Sequence, residues 1–327
     1  MIQNNKSILQ QAEILYNARL LSEKELFDSN NLFFEIIISN SPVILRVSKY
    51  NDKKREHIDF ELNWLTHLSN EISNIAKPIY SINDNLYEVI ECDEKYIVCV
   101  FEKAKGKTID RKSHEFNETL FFNLGLLTGN MHSSTKQYND YSDNTADKFA
   151  WYNNWASLPQ YNTDIDEEVQ LFERKYIKAL NSLPKSKDVY GIIHADIHTS
   201  NFFVDNGYIT IFDFDDCEFN WYVNEISMIL FQELQASGIS NDNKIARTDF
   251  AKIFLLSYLK GYIQGNPIDK NQILQIDLFM KYRRIMIYKL VNHYKWDKDY
   301  IIWLKNGILL DTPFVEIDYQ KIIRSIF

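Results

Sequence analysis

The sequence predicts an α+β protein of two lobes, with a small antiparallel sheet in the N-terminal third and a larger, mainly helical C-terminal part. Three observations predict this. The chain has 327 residues, 45% of them apolar, which is more than one core comfortably fills. Four strand-like runs gather in about the first hundred residues beside two helical stretches, whereas later apolar residues recur mostly at helical spacing. Between about residues 190 and 215, a string of polar side chains is set between short apolar strands.

In order, residues 7–21 place Ile8, Ala12, Ile14, Leu15 and Leu20 at approximate helical spacing, so a helix opens the chain. Ser29-Asn30-Asn31 turns into a strand over 32–38, and Asn40-Ser41-Pro42 reads as the tight turn into a second strand over 43–49. The period of two puts Val43, Leu45 and Val47 on one face and Ile44, Arg46 and Ser48 on the other, so a cation sits mid-strand. Over 54–68, Ile58, Leu62, Leu65 and Leu68 form a helical stripe. Glu61 falls on or beside it, where a carboxylate is costly without a partner. Ala76-Lys77-Pro78-Ile79 ends this helical part, strands over 86–90 and 96–101 complete the sheet, and residues 102–106 connect the lobes. The expected domains are 1–101, a hinge at 102–106, and 107–327, with a shared cleft.

The second lobe begins with a helix over 115–137, in which Gly125 and Gly129 read as close-packing positions and His132 as a core or capping histidine. Residues 139–147 are polar and read as loop, and a helix over 165–180 follows. Another helix starts at Trp221, and four more stretches, 243–261, 270–293, 298–304 and 317–326, complete the lobe. The chain carries no internal repeat.

The informative string follows Gly191-Ile192-Ile193. It reads His194-Ala195-Asp196-Ile197-His198-Thr199-Ser200-Asn201, then Phe202-Phe203-Val204, an Asn206-Gly207 turn, an alternating run over 208–212, and Asp213-Phe214-Asp215. That is a hairpin with polar groups at its ends. Phosphoryl transfer needs an acceptor for the attacking hydroxyl's proton, oxygen ligands for magnesium, and a rigid scaffold holding both. Asp196 and Asn201 can share one short loop, and Asp213 adds a carboxylate from the next strand. A metal-dependent hydrolase competes: His194, Asp196 and His198 alternate, would share one strand face, and could hold catalytic zinc. That arrangement leaves Asn201 and Asp213 without a role.

His194, Asp196 and Asn201 have the H-x-D-x-x-x-x-N spacing, and Asp213-Phe214-Asp215 stands where protein kinases have D-F-G. With His198 and the second acid after the Phe, the stretch resembles the aminoglycoside phosphotransferase and choline kinase family, the small-molecule branch of the kinase-like fold. The resemblance implies transfer of the γ-phosphoryl group of ATP or GTP to a hydroxyl of a small molecule. It assigns the catalytic base to Asp196, Mg2+ to Asn201 and Asp213, and a structural role to His194. Arg46 takes the place of the Lys that grips nucleotide phosphates, with Glu61 as its partner. The backbone at Glu102 and Ala104 would hold adenine, and Ile44 and Phe203 would sandwich the base. The chain departs from the family in three ways: Arg46 for Lys, a nucleotide loop around Ser29-Asn30-Asn31 without Gly, and Glu225 or Asn224 where an Asp braces the catalytic loop. These departures support a second reading, a nucleotide-binding pseudokinase that regulates a partner. The joint survival of Asp196, Asn201 and Asp213 supports the enzyme. Relatives take acceptors from aminoglycosides and macrolides to choline, homoserine and sugars.

A net charge of −9 makes the chain a poor electrostatic partner for nucleic acid or an anionic membrane and leaves room for cationic substrates. Asp215, Asp216 and Glu218 near the string, and Asp297, Asp299, Asp311 and Glu316 with Trp296 and Trp303, suggest a cationic, hydroxyl-bearing acceptor such as an aminoglycoside or amino alcohol. Cys92, Cys99 and Cys217 lack C-x-x-C spacing, which suits reduced thiols. With no apolar signal region after Met1 and no run of about 18 apolar residues, a cytoplasmic protein is expected. The sequence leaves the oligomeric state open.

Overall fold

The structure is a computed structural model that describes residues 5–22, 26, 31–163 and 165–327. The Ser29-Asn30 part of the expected nucleotide loop lies outside them. The chain divides into two compact units, one running to Gly106 and including Thr210–Asp215, the other comprising Lys107–Ile209 and Asp216–Phe327.

The first unit holds α1 (Asn5–Leu15), β1 (Arg19–Leu20), β2 (Leu32–Ile38), β3 (Ser41–Lys49), α2 (Asp52–Glu71), β4 (Pro78–Ile79), β5 (Glu88–Glu91) and β6 (Lys95–Glu102). Its antiparallel sheet runs β1-β2-β3-β6-β4, with β5 also on β6. The turn into β3 falls at Ser39 and Asn40 (φ 49° and 65°), one step before the expected position. Two left-handed residues make the two-residue turn whose twist matches the flanking strands. Pro42 thereby joins β3 opposite Ile37, ahead of the β3–β6 register that begins at Val43, so its missing N–H breaks no bond to β6. Phe34, Ile36, Val43, Leu45, Val47, Val98 and Val100 bury one core with Ile8, Leu9 and Ala12 of α1.

Helix α2 starts at Asn51, whose side chain accepts the Lys54 N–H, and it buries Ile58, Glu61, Leu62, Leu65 and Leu68. The cap and the apolar stripe together set its start and its buried face. Pro78–Ile79, expected as the end of the helical part, is instead a strand on β6. Thr210–Asp215 belongs to this unit because Ile211 donates to the Asn74 carbonyl and accepts from Ala76, both at 2.9 Å.

The second unit holds α3 (Glu118–Thr135), α4 (Asp143–Lys148), α5 (Glu167–Asn181), β7 (Tyr190–Ile193), β8 (Phe202–Asp205), β9 (Tyr208–Ile211, which crosses into the first unit), β10 (Glu218–Trp221), α6 (Tyr222–Ala236), α7 (Lys244–Gly265), α8 (Lys270–His293), α9 (Lys298–Leu309) and α10 (Tyr319–Ile326). Helices α3 and α7 pack backbone to backbone: a Cβ at Gly125 would lie 2.0 Å from the Tyr258 carbonyl oxygen, and one at Gly261 1.9 Å from that of Phe122. The segment read as loop over 139–147 contains α4, capped by Ser142. The β8–β9 hairpin turns at Asn206-Gly207 (φ 51° and 81°), and β7 pairs with β10 from Tyr190↔Trp221 to Ile193↔Glu218. No helix among the described residues is long and apolar enough to cross a membrane.

Candidate active site

The catalytic string is a loop rather than a strand, which corrects the arrangement required by the zinc reading. Strand β7 ends at Ile193, and Ala195 takes φ 64°, a left-handed value uncommon without glycine. The alternation that would have set His194, Asp196 and His198 on one face is therefore broken. His194 is fully buried, and its Nδ1 accepts the Asp196 N–H at 3.3 Å. Among the described residues, no three His, Cys, Asp or Glu side chains gather as metal ligands.

Glu225, in the first turn of α6, holds the left-handed loop. Its carboxylate accepts the His194 N–H at 2.7 Å and the Ala195 N–H at 3.1 Å and is fully buried. The longer Glu thus occupies the bracing position, and Asn224 is not needed there. Behind it, His132 Nε2 lies 3.8 Å from Glu225 Oε2, beyond hydrogen-bond distance. His132 shares a 2.8 Å hydrogen bond with the Tyr262 hydroxyl and stacks on Tyr222. Burial pushes the His132 imidazole below its ordinary value, so it supports the brace as a neutral core group.

Around Asp196 the second unit assembles polar partners. Asn201 donates through Nδ2 to the Asp196 carbonyl at 3.0 Å and to Oδ2 at 3.1 Å. His198 Nδ1 accepts the Ser200 N–H at 3.2 Å, so its proton sits on Nε2, 3.3 Å from Asp196 Oδ2. Gln232 of α6 donates to Oδ1 at 3.4 Å, and Arg283 Nη2 of α8 lies 4.0 Å from the same oxygen. Burial alone would raise the Asp196 carboxyl. The His198 hydrogen bond, with Arg283 as the nearby cation, outweighs it and holds the group below the usual carboxylate range. About a quarter of each side chain remains exposed (Asp196 25%, His198 26%), so both are reachable from solvent.

In the first unit, Arg46 and Glu61 form a two-point bond, Nη1 to Oε1 at 2.8 Å and Nη2 to Oε2 at 2.7 Å. Both are buried, and the guanidinium lies 5.0 Å over the Phe101 ring. Burial works to lower the Arg46 value, but the Glu61 charge and hydrogen bond keep it well above the ordinary one, so the pair is ionic. Asp213 takes φ 66°. Asp215 Oδ2 accepts from Asn31 Nδ2 at 3.1 Å and lies 3.9 Å from Lys54, its carbonyl is 2.7 Å from His57 Nε2, and Ser48 donates to Asn31 Oδ1 at 2.8 Å. Ile44 and Phe203 are each half-buried on their strands. Of the expected hinge, Glu102 is the last residue of β6, and its N–H is spent on the Lys77 carbonyl at 2.8 Å.

Three of the C-terminal carboxylates offered as a cation site have other occupations. Asp297 caps α9, Asp311 bonds Lys175, Lys281 and Tyr176, and Glu316 pairs with Lys244. Glu218 is buried between the Asn154 and Asn220 amides, and burial pushes it up to about 7. The Trp303 ring already faces Arg247 and Arg284. Sequence reasoning missed His57, Gln232 and Arg283, and took Asn31 only as part of the nucleotide loop. Only Arg283 left a signal, since it follows Ile276, Phe279 and Met280 on the buried stripe of α8.

The sequence matches the phosphotransferase enzyme family (APH) over residues 26–264. The chain belongs to this family. It is similar to the amicoumacin kinase of Bacillus subtilis (strain 168), 31% identical over 332 residues that cover 98% of this chain and 96% of that one. A solved amicoumacin kinase, in complex with AMP-PNP, Ca2+ and Ami, is 30% identical with a TM-score of 0.86 and 97% of each chain covered. A microcompartment-associated aminopropanol kinase aligns at 20% identity and TM-score 0.65, covering 92% of this chain and 95% of that one. The fold is kinase-like, and the family member is a small-molecule kinase with an alcohol group as acceptor. Neither the pseudokinase nor the hydrolase reading is favoured.

Proposed function

We propose that this kinase transfers the γ-phosphoryl group of ATP or GTP to a hydroxyl of a small molecule of the amicoumacin kind, with Asp196 orienting and deprotonating that hydroxyl. The observation that carries the reading is the Asp196 carboxylate, kept ionised among His198, Asn201, Gln232 and Arg283 on a loop braced by Glu225. An ionised carboxylate on a rigid loop is what the acceptor's proton requires, and positioning carries most of the rate in a largely dissociative transfer.

The remaining roles rest on motif position and donor chemistry. Asn201 and Asp213 supply only oxygen ligands, the set that suits Mg2+, and the Nδ2 bonds of Asn201 leave its Oδ1 as the donor. Bound there, the metal would neutralise charge on the transferring phosphates. Arg46, positioned by Glu61, takes the nucleotide phosphates. Glu102 and Ala104 take adenine by backbone, and Ile44 and Phe203 flank the base. Residues 1–101 form the nucleotide-binding lobe, 102–106 the hinge and 107–327 the catalytic lobe of a cytoplasmic enzyme. The test is nucleotide turnover with amicoumacin, comparing ATP with GTP and Mg2+ with EDTA. Metal-dependent ADP or GDP release stoichiometric with a phosphorylated acceptor is expected. Absence of acceptor-dependent release overturns the proposal.

A further inference from the structure

Arg283 is the least explained side chain beside the catalytic aspartate. It lies on α8 with 10% of its side chain exposed, yet its five N–H groups make no hydrogen bond among the described residues, and Nε is buried without a partner. The nearest carboxylate oxygen among the described residues is Asp196 Oδ1, 4.0 Å from Nη2, too far to share a proton. Trp155 covers one face, its ring centroid 5.8 Å from the guanidinium carbon. The terminal nitrogens of buried guanidinium groups are ordinarily satisfied by carboxylates or carbonyls, as those of Arg46 and Arg284 are here although their Nε, like that of Arg283, has no partner.

We propose that Arg283 is a specificity-determining residue that hydrogen-bonds a second oxygen of the acceptor, carried on the carbon next to the reacting hydroxyl. This deepens the proposed function and rests on Asp196 taking that hydroxyl. A hydroxyl about 2.7 Å from Asp196 and a second oxygen about 2.9 Å from Nη2 are ordinary hydrogen-bond lengths. Oxygens on adjacent carbons then span the interval as a compact bridge. The acceptor class is a vicinal diol or an α-hydroxy carbonyl compound, not an isolated alcohol. The second oxygen, rather than the reacting one, takes the Arg283 hydrogen bond because a guanidinium donating to the reacting oxygen would withdraw the electron density it must direct at phosphorus.

The test uses amicoumacin and a matched series, 1-amino-2-propanol, 3-amino-1,2-propanediol and isoserine amide, which differ in the group beside one hydroxyl. For the wild type, kcat/KM is expected to rise at least ten-fold from the first compound to the other two. In Arg283→Ala that preference collapses to within two-fold, and the KM for amicoumacin rises at least ten-fold while kcat at saturation changes less than about five-fold. Arg283→Lys, which keeps the charge without the fork, recovers part of the KM. If the Ala variant does not fold, the wild-type preference and the Lys variant decide. If the small compounds are all silent, the KM for amicoumacin decides. A wild type indifferent to the second oxygen, or an Ala variant with unchanged amicoumacin KM, overturns the inference and leaves the kinase reading standing. Transfer to none of the acceptors overturns both.

Discussion

Removing the carboxylate of Glu225 should disable catalysis without touching nucleotide or acceptor. Glu225 is fully buried and satisfies two backbone N–H groups, those of His194 and Ala195. Glu225→Ala leaves both as orphans, at roughly 1–3 kcal/mol each. It also releases the restraint on Ala195, whose left-handed backbone costs about 1–2 kcal/mol. The loop relaxes, Asp196 shifts with it, and a drift of about 1 Å is enough for roughly a hundred-fold loss in rate. Glu225→Gln keeps the shape and one acceptor oxygen, so it should lose one charge-assisted bond, about 1.5–3 kcal/mol, and about ten-fold in kcat. The assay is steady-state nucleotide turnover at saturating substrates beside thermal denaturation, with nucleotide KM expected to move only a few-fold. A folded Glu225→Ala variant that melts with the wild type and keeps more than about a third of its kcat would refute the bracing argument.

Asp196→Asn should lower phosphoryl transfer by about 10²–10⁴ with nucleotide affinity within a few-fold, since the carboxylate serves the acceptor; retention of more than about a tenth of the turnover would remove its assignment. Glu61→Ala leaves the buried Arg46 unpaired and should destabilise the protein by about 3–5 kcal/mol, read by denaturant titration against Arg46→Met/Glu61→Met, which should recover much of the loss. Asn201→Ala and Asp213→Ala should each weaken Mg2+-dependent nucleotide binding while leaving metal-free binding nearly alone, as calorimetric titration with and without metal would show. Glu218, pushed up to about 7 by burial against an unfolded value near ~4.3, contributes stability that is complete below the unfolded value and lost as pH rises through about 7. Glu218→Gln should therefore gain on the wild type in melting temperature between pH 5 and pH 8, and a difference constant across that range would contradict the assignment.

What the sequence revealed follows from where the physics is local. Strands β2 and β6 were legible as short apolar runs and β3 by its alternation, while the Arg46–Glu61 pair followed from the family resemblance, with Glu61 beside an apolar stripe. The catalytic string was legible because its polar groups are contiguous. Helix α4 was not, since none of its six residues is buried and no apolar period marks it. Strand β10 was not either: all four residues, Glu218, Phe219, Asn220 and Trp221, are buried, which removes the alternation. Gln232 and Arg283 reach Asp196 from helices distant in sequence, so their roles depend on packing that no periodicity encodes.

The departures that favoured a binding-only protein are better read against their own surroundings. Arg46 is wider than Lys, but Glu61 meets its fork at two points. The loop without Gly ends at Asn31, whose side chain is held between Ser48 and Asp215. Glu225 is longer than Asp and still reaches two loop amides. Meanwhile several costly features surround Asp196: a buried carboxylate at Glu225, left-handed backbone at Ala195, and a guanidinium without a hydrogen bond among the described residues at Arg283. Strain of this kind persists where the surrounding structure over-determines it, and it clusters where mechanism uses it. Nucleotide binding alone requires neither the braced loop under Asp196 nor a cation aimed past it, whereas phosphoryl transfer to a positioned hydroxyl accounts for both.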